Sequence, residues 1–174
     1  MAIIFPPIIA FWYILRNNKR KGHFVLIVIV GSVLIWEFFN IIISWPRPQT
    51  SIVLTQSYSY PSGHVLVGVC FYLSLAITIS NSMDNRRKRI IAWAISIIII
   101  AMISVSRMYL RAHYPTDVIA GIVIGVLWLL TVVLCFEKIE IMLIKVESTI
   151  RKVFNFMITD NVNAPLKHRL YLDY

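Results

Sequence analysis

The chain has 174 residues, 59% of them hydrophobic, and a formal net charge of +9 from 17 Lys and Arg against 8 Asp and Glu. A soluble domain of this size sits nearer half apolar, and here the excess is gathered into runs, so the composition points to an integral membrane protein. In a soluble protein this basic balance would suggest nucleic acid. Here the cations sit in short loops between apolar runs, where they set orientation, and no nucleic-acid partner is expected.

Residues 2–15 form the first apolar run, interrupted by Pro6-Pro7 and short of the roughly 20 residues a crossing needs. No small-residue cleavage site follows it, so it is expected to be retained as a short or kinked span. A basic knot comes next: Arg16, Lys19, Arg20 and Lys21. Residues 23–44 make a full-length span, with Glu37 and Asn40 near its end. The loop 45–63 has Arg47 as its only charge, and Pro46, Pro48 and Pro61 prevent a helix there. Residues 64–80 are the third run, followed by a loop, Asn81 to Arg89, that carries Arg86, Arg87, Lys88 and Arg89 against Asp84. The Ile-rich fourth run covers 90–106, and the polar connection 107–116 leads into a fifth over 117–136. In that last run Gly121 and Gly125 have the small-xxx-small spacing that permits close helix approach, although ordinary packing explains it well. Cys70 and Cys135 lie inside apolar runs and read as buried, unpaired thiols. From Glu137 onward charges alternate with Ile, Leu, Met and Phe at helical spacing. That pattern suits an interfacial amphipathic helix or a plain cytosolic tail. The expected fold is all-α, a polytopic membrane helix bundle of about five transmembrane helices, with a membrane domain over 1–136 and a cytoplasmic tail over 137–174.

If every apolar run spans, the basic knots at 16–21 and 84–89 and the tail share one side, which the positive-inside rule makes cytoplasmic. The loops 45–63 and 107–116 then share the opposite, extracytoplasmic face of what is expected to be a bacterial cell membrane. That face collects Arg47, Ser62, Gly63, His64, Arg107, Arg111, His113 and Asp117, of which only Asp117 is acidic. Arginine forks and the free N–H groups at a helix start both aim donors at an oxyanion, and the anion met at a membrane surface is a lipid phosphate. Two histidines offer a nucleophile and a proton donor, or a base and an acid. Asp117, four residues after His113, is placed to hold the imidazole tautomer. Two histidines and an aspartate also suit a metal, but the arginines around them would repel a cation, so no metal or other cofactor is expected.

Arg47-Pro48, then Pro61-Ser62-Gly63-His64, then Ser106-Arg107, five residues, His113, three residues and Asp117 resemble the three-part signature of the type 2 phosphatidic acid phosphatase superfamily. The resemblance covers roughly residues 24–135. The same pocket occurs in vanadium haloperoxidases, which are usually soluble, so the apolar runs favour the membrane phosphatase branch. The resemblance implies that His113 attacks phosphorus to form a phosphohistidine, that Asp117 orients it, and that His64 protonates the leaving oxygen. It further implies that Arg47 and Arg107 clamp the phosphoryl oxygens beside Ser62 and the Gly63 N–H. The implied activity is hydrolysis of a membrane lipid phosphate or diphosphate, with no cofactor and with the bilayer and its lipid as partners.

The sequence departs from the family's pattern in two places. The family's first motif opens with a lysine seven residues before the Arg of Arg-Pro, and that position is Asn40 here, able to donate a hydrogen bond but uncharged. Arg111, in the same loop as His113, is a candidate for restoring the missing charge. Family members in membranes also commonly have six spans against the five read here. A second reading follows from the first departure: a non-catalytic lipid-phosphate-binding membrane protein whose site has lost turnover. The His113–Asp117 pair argues against it, because binding alone needs no nucleophile.

Overall fold

The computed structural model describes residues 18–52 and 57–170, without the side chains of 143, 153 and 156–170. The apolar run 2–15 lies outside the described residues. The remaining four runs are helices, each long and apolar enough to cross a membrane: α1 Lys19–Ile43, α2 Gly63–Ser80, α3 Arg86–Tyr109 and α4 Pro115–Leu170. Among the described residues there is no strand. The protein is an all-helical integral membrane protein.

The helix ends follow local chemistry. Asn85 caps α3, its side chain accepting from the backbone N–H groups of Arg87 at 2.8 Å and Lys88 at 3.4 Å. The cap starts α3 inside the basic knot, so Arg86 to Arg89 form its first turn and not the loop expected from their charge. Pro115 opens α4, where its missing N–H costs nothing. Downstream the helix passes the composition change at 137 without a break, since Cys135 to Lys138 contain neither Gly nor Pro. The chain nevertheless divides into two compact units, Met1–Leu134 and Cys135–Tyr174. The described part of the second unit is helical, with an exposed Glu147–Arg151 pair at 3.4 Å one turn apart that contributes little.

Within the first unit α2 is the central helix. Its apolar window is 61% buried, against 22% for α1 and 11% for α3. It packs on both α1 and α3, and Val65 and Val69 meet Val118 of α4 in the core. Lipid tails are as apolar as these side chains, so the helices gain from close packing more than from exclusion of water. Gly121 and Gly125 supply that closeness. A Cβ on Gly121 would stand 3.0 Å from the Ser62 carbonyl oxygen, and one on Gly125 3.0 Å from that of Leu66. The small-xxx-small spacing is therefore the α2–α4 contact itself. On α1, Gly31 leaves room for the Trp128 ring, whose Nε1–H donates to the Val28 carbonyl at 2.9 Å. Hydroxyls inside the spans bond back along their own helices, as Ser74 does to Phe71, Ser96 to Ala92 and Ser104 to Ile100. No hydroxyl of these three is left to face lipid unpaired. The two cysteines differ: Cys70 is buried as expected, but Cys135 is exposed on α4.

The ends of the bundle are chemically distinct. At one, Lys21 donates to Ser82, joining the first basic knot to the α2–α3 turn. At the other, Ile52 N–H donates to the Leu110 carbonyl at 3.3 Å and Ser62 N–H to that of Asp117 at 3.0 Å, bringing the α1–α2 loop onto the α3–α4 turn. Gly125→Leu should lower stability by about 1–3 kcal/mol, because a backbone carbonyl cannot yield as a side chain does. A thermal melt in detergent measures it, with Val126→Leu as the control.

Candidate active site

His113 sits in the short turn between α3 and α4, held from three sides and only 5% exposed. Its Nδ1 lies 2.7 Å from the Ser59 carbonyl oxygen, which accepts only, so Nδ1 carries the proton. Nε2 is left with its lone pair, facing Arg47 Nη1 at 3.4 Å, a long contact that holds it weakly. The ring is thus the neutral tautomer with its lone-pair nitrogen turned toward Arg47. Burial pushes the His113 pKa down to about 4, and the Arg47 charge adds to this; the Ser59 bond and the Asp117 charge oppose it.

Asp117 occupies the third position of α4 and is 1% exposed. Its Oδ2 accepts from the Tyr114 backbone N–H at 2.9 Å, closing the helix start in the manner of a capping box, and from Ser59 Oγ–H at 2.5 Å. Oδ2 stands 3.8 Å from His113 Nδ1, beyond hydrogen-bond reach. The aspartate therefore acts on the imidazole through its charge and through Ser59, which itself lies 3.4 Å from Nδ1. The sequence reading did not single out Ser59. Its position three residues before Ser62 was the only clue, because its partners come from α4 and the turn before it, more than 50 residues away.

Arg47 reaches over the site from the end of α1. It donates to the carbonyls of Ser57 (2.8 Å), Ala112 (2.8 Å) and Tyr58 (3.2 Å) and to Ser57 Oγ (3.0 Å). Burial lowers its pKa; Asp117 opposes that shift and the neighbouring Arg107 charge reinforces it. Two guanidinium groups close enough to repel, in a partly desolvated pocket, favour an anion between them. Two buried polar atoms at this end have no partner among the described residues: Arg107 Nε and Ser62 Oγ. Ser62 is the N-cap position of α2, yet its hydroxyl makes no cap bond. The first N–H groups of α2 are consequently open to an oxyanion. Gly63 follows, and a Cβ there would stand 2.6 Å from Trp36 Nε1, so this glycine is also required by the packing of Trp36. His64, next along α2, is exposed and close enough for its charge to act on His113.

The two residues at the family's departure differ in placement. Asn40 is 6% exposed, and its Nδ2 donates to the Tyr58 carbonyl at 3.0 Å and the Tyr60 carbonyl at 3.2 Å. Both of its donor hydrogens are used on the backbone of the loop. Arg111 is exposed, in the left-handed region with φ 49°, just past the end of α3. The structure thus gathers Arg47, Ser62, Gly63, His64, Arg107, His113 and Asp117 at one end of the bundle, with Asn40 beneath the loop and Arg111 at the surface.

Comparison with known proteins identifies the family. The family model of the PAP2 superfamily matches residues 21–141. The chain is 28% identical over 129 residues to an undecaprenyl-diphosphatase of Sulfolobus acidocaldarius, a match over 70% of this chain and 58% of that one. It is 31% identical over 97 residues to phosphatidylglycerophosphatase B of Bacillus subtilis, covering 54% of this chain and 47% of the relative. The chain thus spans about half the length of these curated relatives. Among solved structures, a transmembrane PAP2-type phosphatidylglycerolphosphate phosphatase from Bacillus subtilis superposes with a TM-score of 0.67 and 27% identity, over 79% of this chain and 68% of the other.

A titration of histidine-labelled protein by NMR should find His113 neutral down to about pH 4. Asp117→Asn removes the one negative charge that favours the imidazolium, so the midpoint should move to still lower pH.

Proposed function

Because the chain belongs to the PAP2 superfamily, we propose that it is a membrane lipid phosphatase, cleaving a phosphomonoester or diphosphate from a lipid through a phosphohistidine intermediate. The observation that carries this reading is the polarity of His113: Nδ1 is tied to Ser59, and Nε2 is directed at Arg47, beside which stands Arg107 with a buried Nε that has no partner among the described residues. A site that merely bound phosphate would have no use for a buried, neutral imidazole so oriented.

In the proposed sequence a phosphoryl group enters between Arg47 and Arg107 and accepts hydrogen bonds from them, from Ser62 Oγ–H and from the first N–H groups of α2. Its oxygens compete for Arg47 Nη1 and free the Nε2 lone pair. Nε2 attacks phosphorus while the P–O bond to the lipid breaks, and protonated His64 gives its proton to the departing oxygen. His64, now neutral, takes a proton from water, and the resulting hydroxide attacks phosphorus and releases His113 with inorganic phosphate. The transferring group's charge is met by fixed guanidinium and backbone donors, which supply the stabilisation that phosphoryl transfer demands, so the step needs no metal. Candidate substrates are a polyprenyl diphosphate, phosphatidylglycerophosphate or phosphatidic acid; the named relatives act on the first two kinds of lipid. The charge distribution supports a site on the extracytoplasmic face, since the basic knots lie at the opposite end of the bundle.

The test is phosphate release from a panel of these lipids in detergent, with and without a chelator. His113→Ala should abolish turnover, His64→Ala should lower kcat by about 10²–10⁴-fold, and Arg107→Ala should lower it by about 10²–10³-fold. Wild-type protein that binds the lipids but releases no phosphate would support the binding-protein reading instead.

A further inference from the structure

We propose that Ser59, braced by Asn40, is a positioning residue for His113 and Asp117, and that the amide standing where the family's pattern has a lysine serves this brace and not the phosphate. The proposal rests on the phosphatase reading of the same site.

Ser59 is fully buried and meets both members of the pair at once. Its carbonyl accepts the Nδ1–H of His113 at 2.7 Å, and its hydroxyl donates to Asp117 Oδ2 at 2.5 Å. The carboxylate cannot take the Nδ1 proton itself from 3.8 Å. One residue of a loop therefore fixes the imidazole tautomer and the carboxylate position together. A loop backbone fixes nothing unless it is fixed in turn. Asn40 does this from α1, with one amide nitrogen donating to the carbonyls on either side of Ser59, those of Tyr58 and Tyr60. Arg47 adds a second tie at Ser57 and Tyr58, and Ser59 N–H donates to the Trp45 carbonyl at 2.8 Å. An ammonium has donors enough for two carbonyls, but on a long flexible stem it would fix the loop less firmly than this short planar amide does. With both of its hydrogens engaged, Asn40 has none to give a substrate.

The charged groups facing His113 are Arg47 from the end of α1, His64 from α2 and Asp117 from α4, with Arg107 of α3 beside Arg47. Of these only Asp117 is negative, and the Ser59 hydroxyl draws on its charge. Losing that hydroxyl leaves more negative charge to act on the imidazole, so the imidazolium is favoured and the titration of His113 moves up.

Two experiments test the proposal. In the first, Ser59→Ala and Asn40→Asp are compared with wild type for phosphate release. Both should lower kcat by about tenfold or more with KM within about threefold, and Ser59→Ala should move the acid limb of kcat/KM to higher pH. Wild-type kcat and an unmoved limb in Ser59→Ala, or a KM effect alone in Asn40→Asp, would overturn it. The second experiment needs no variant at Ser59 and no turnover. The ¹⁵N spectrum of histidine-labelled wild-type protein, assigned against His113→Ala, should show His113 as the Nδ1–H tautomer with a slowly exchanging proton. The Nε2–H tautomer would overturn the proposal. Should wild-type protein release no phosphate at all, the functional reading fails, and the tautomer still decides whether Ser59 positions the ring.

Discussion

Everything at the site end of the bundle depends on the hydrogen bond from His113 Nδ1 to the Ser59 carbonyl. It joins the α3–α4 turn to the α1–α2 loop, decides which imidazole nitrogen carries the proton, and so decides which nitrogen is free. The bond forms in a pocket where His113 and Ser59 are almost fully buried. An unmade donor there would cost more than the bond itself gains, which keeps the loop and the turn together. The Ser59 hydroxyl and the Asp117 carboxylate extend the same junction onto the first turn of α4.

Membrane packing and site geometry are linked through α2. Its N-terminus is part of the site, and its flank is the surface on which α4 closes at Gly121 and Gly125. Gly121 lies against the Ser62 carbonyl, and Ser62 N–H donates to the Asp117 carbonyl. A helix spacing set by two glycines therefore also sets the distance between the pocket's helix start and its acid. Lipid offers no hydrophobic drive to hold such a spacing, and small side chains achieve it by direct contact.

The candidate site residues were legible because their types are costly in a membrane and cluster at the ends of apolar runs. Arg47, His64, Arg107, His113 and Asp117 could be picked out and assigned to one face by counting spans and charges, and the folded protein brings them to one end of the bundle. Asn40 was visible as a departure, but its use was not. Nothing in the sequence says that the carbonyls of Tyr58 and Tyr60 lie within reach of its amide. Ser59 was hidden more fully. It is one of several serines in a polar loop, and its importance comes from partners 54 and 58 residues away. Arg111, similar to Arg107 in sequence, is separated from it by the end of α3, which turns it outward to the surface.

By itself the sequence pointed to the four described spans, the segregation of charge between their ends and the candidate site residues, because each of these follows from the local polarity of the chain against a lipid medium. It also carried the close α2–α4 approach as a glycine spacing, without saying which helix would use it. The tertiary structure alone decided the tautomer of His113, the indirect coupling of Asp117, the brace at Asn40 and the unpartnered donors of Arg107 and Ser62. Those are matters of a few tenths of an ångström between atoms far apart in the chain. They are settled only when the loops close over one another and each buried donor must find, or lack, an acceptor.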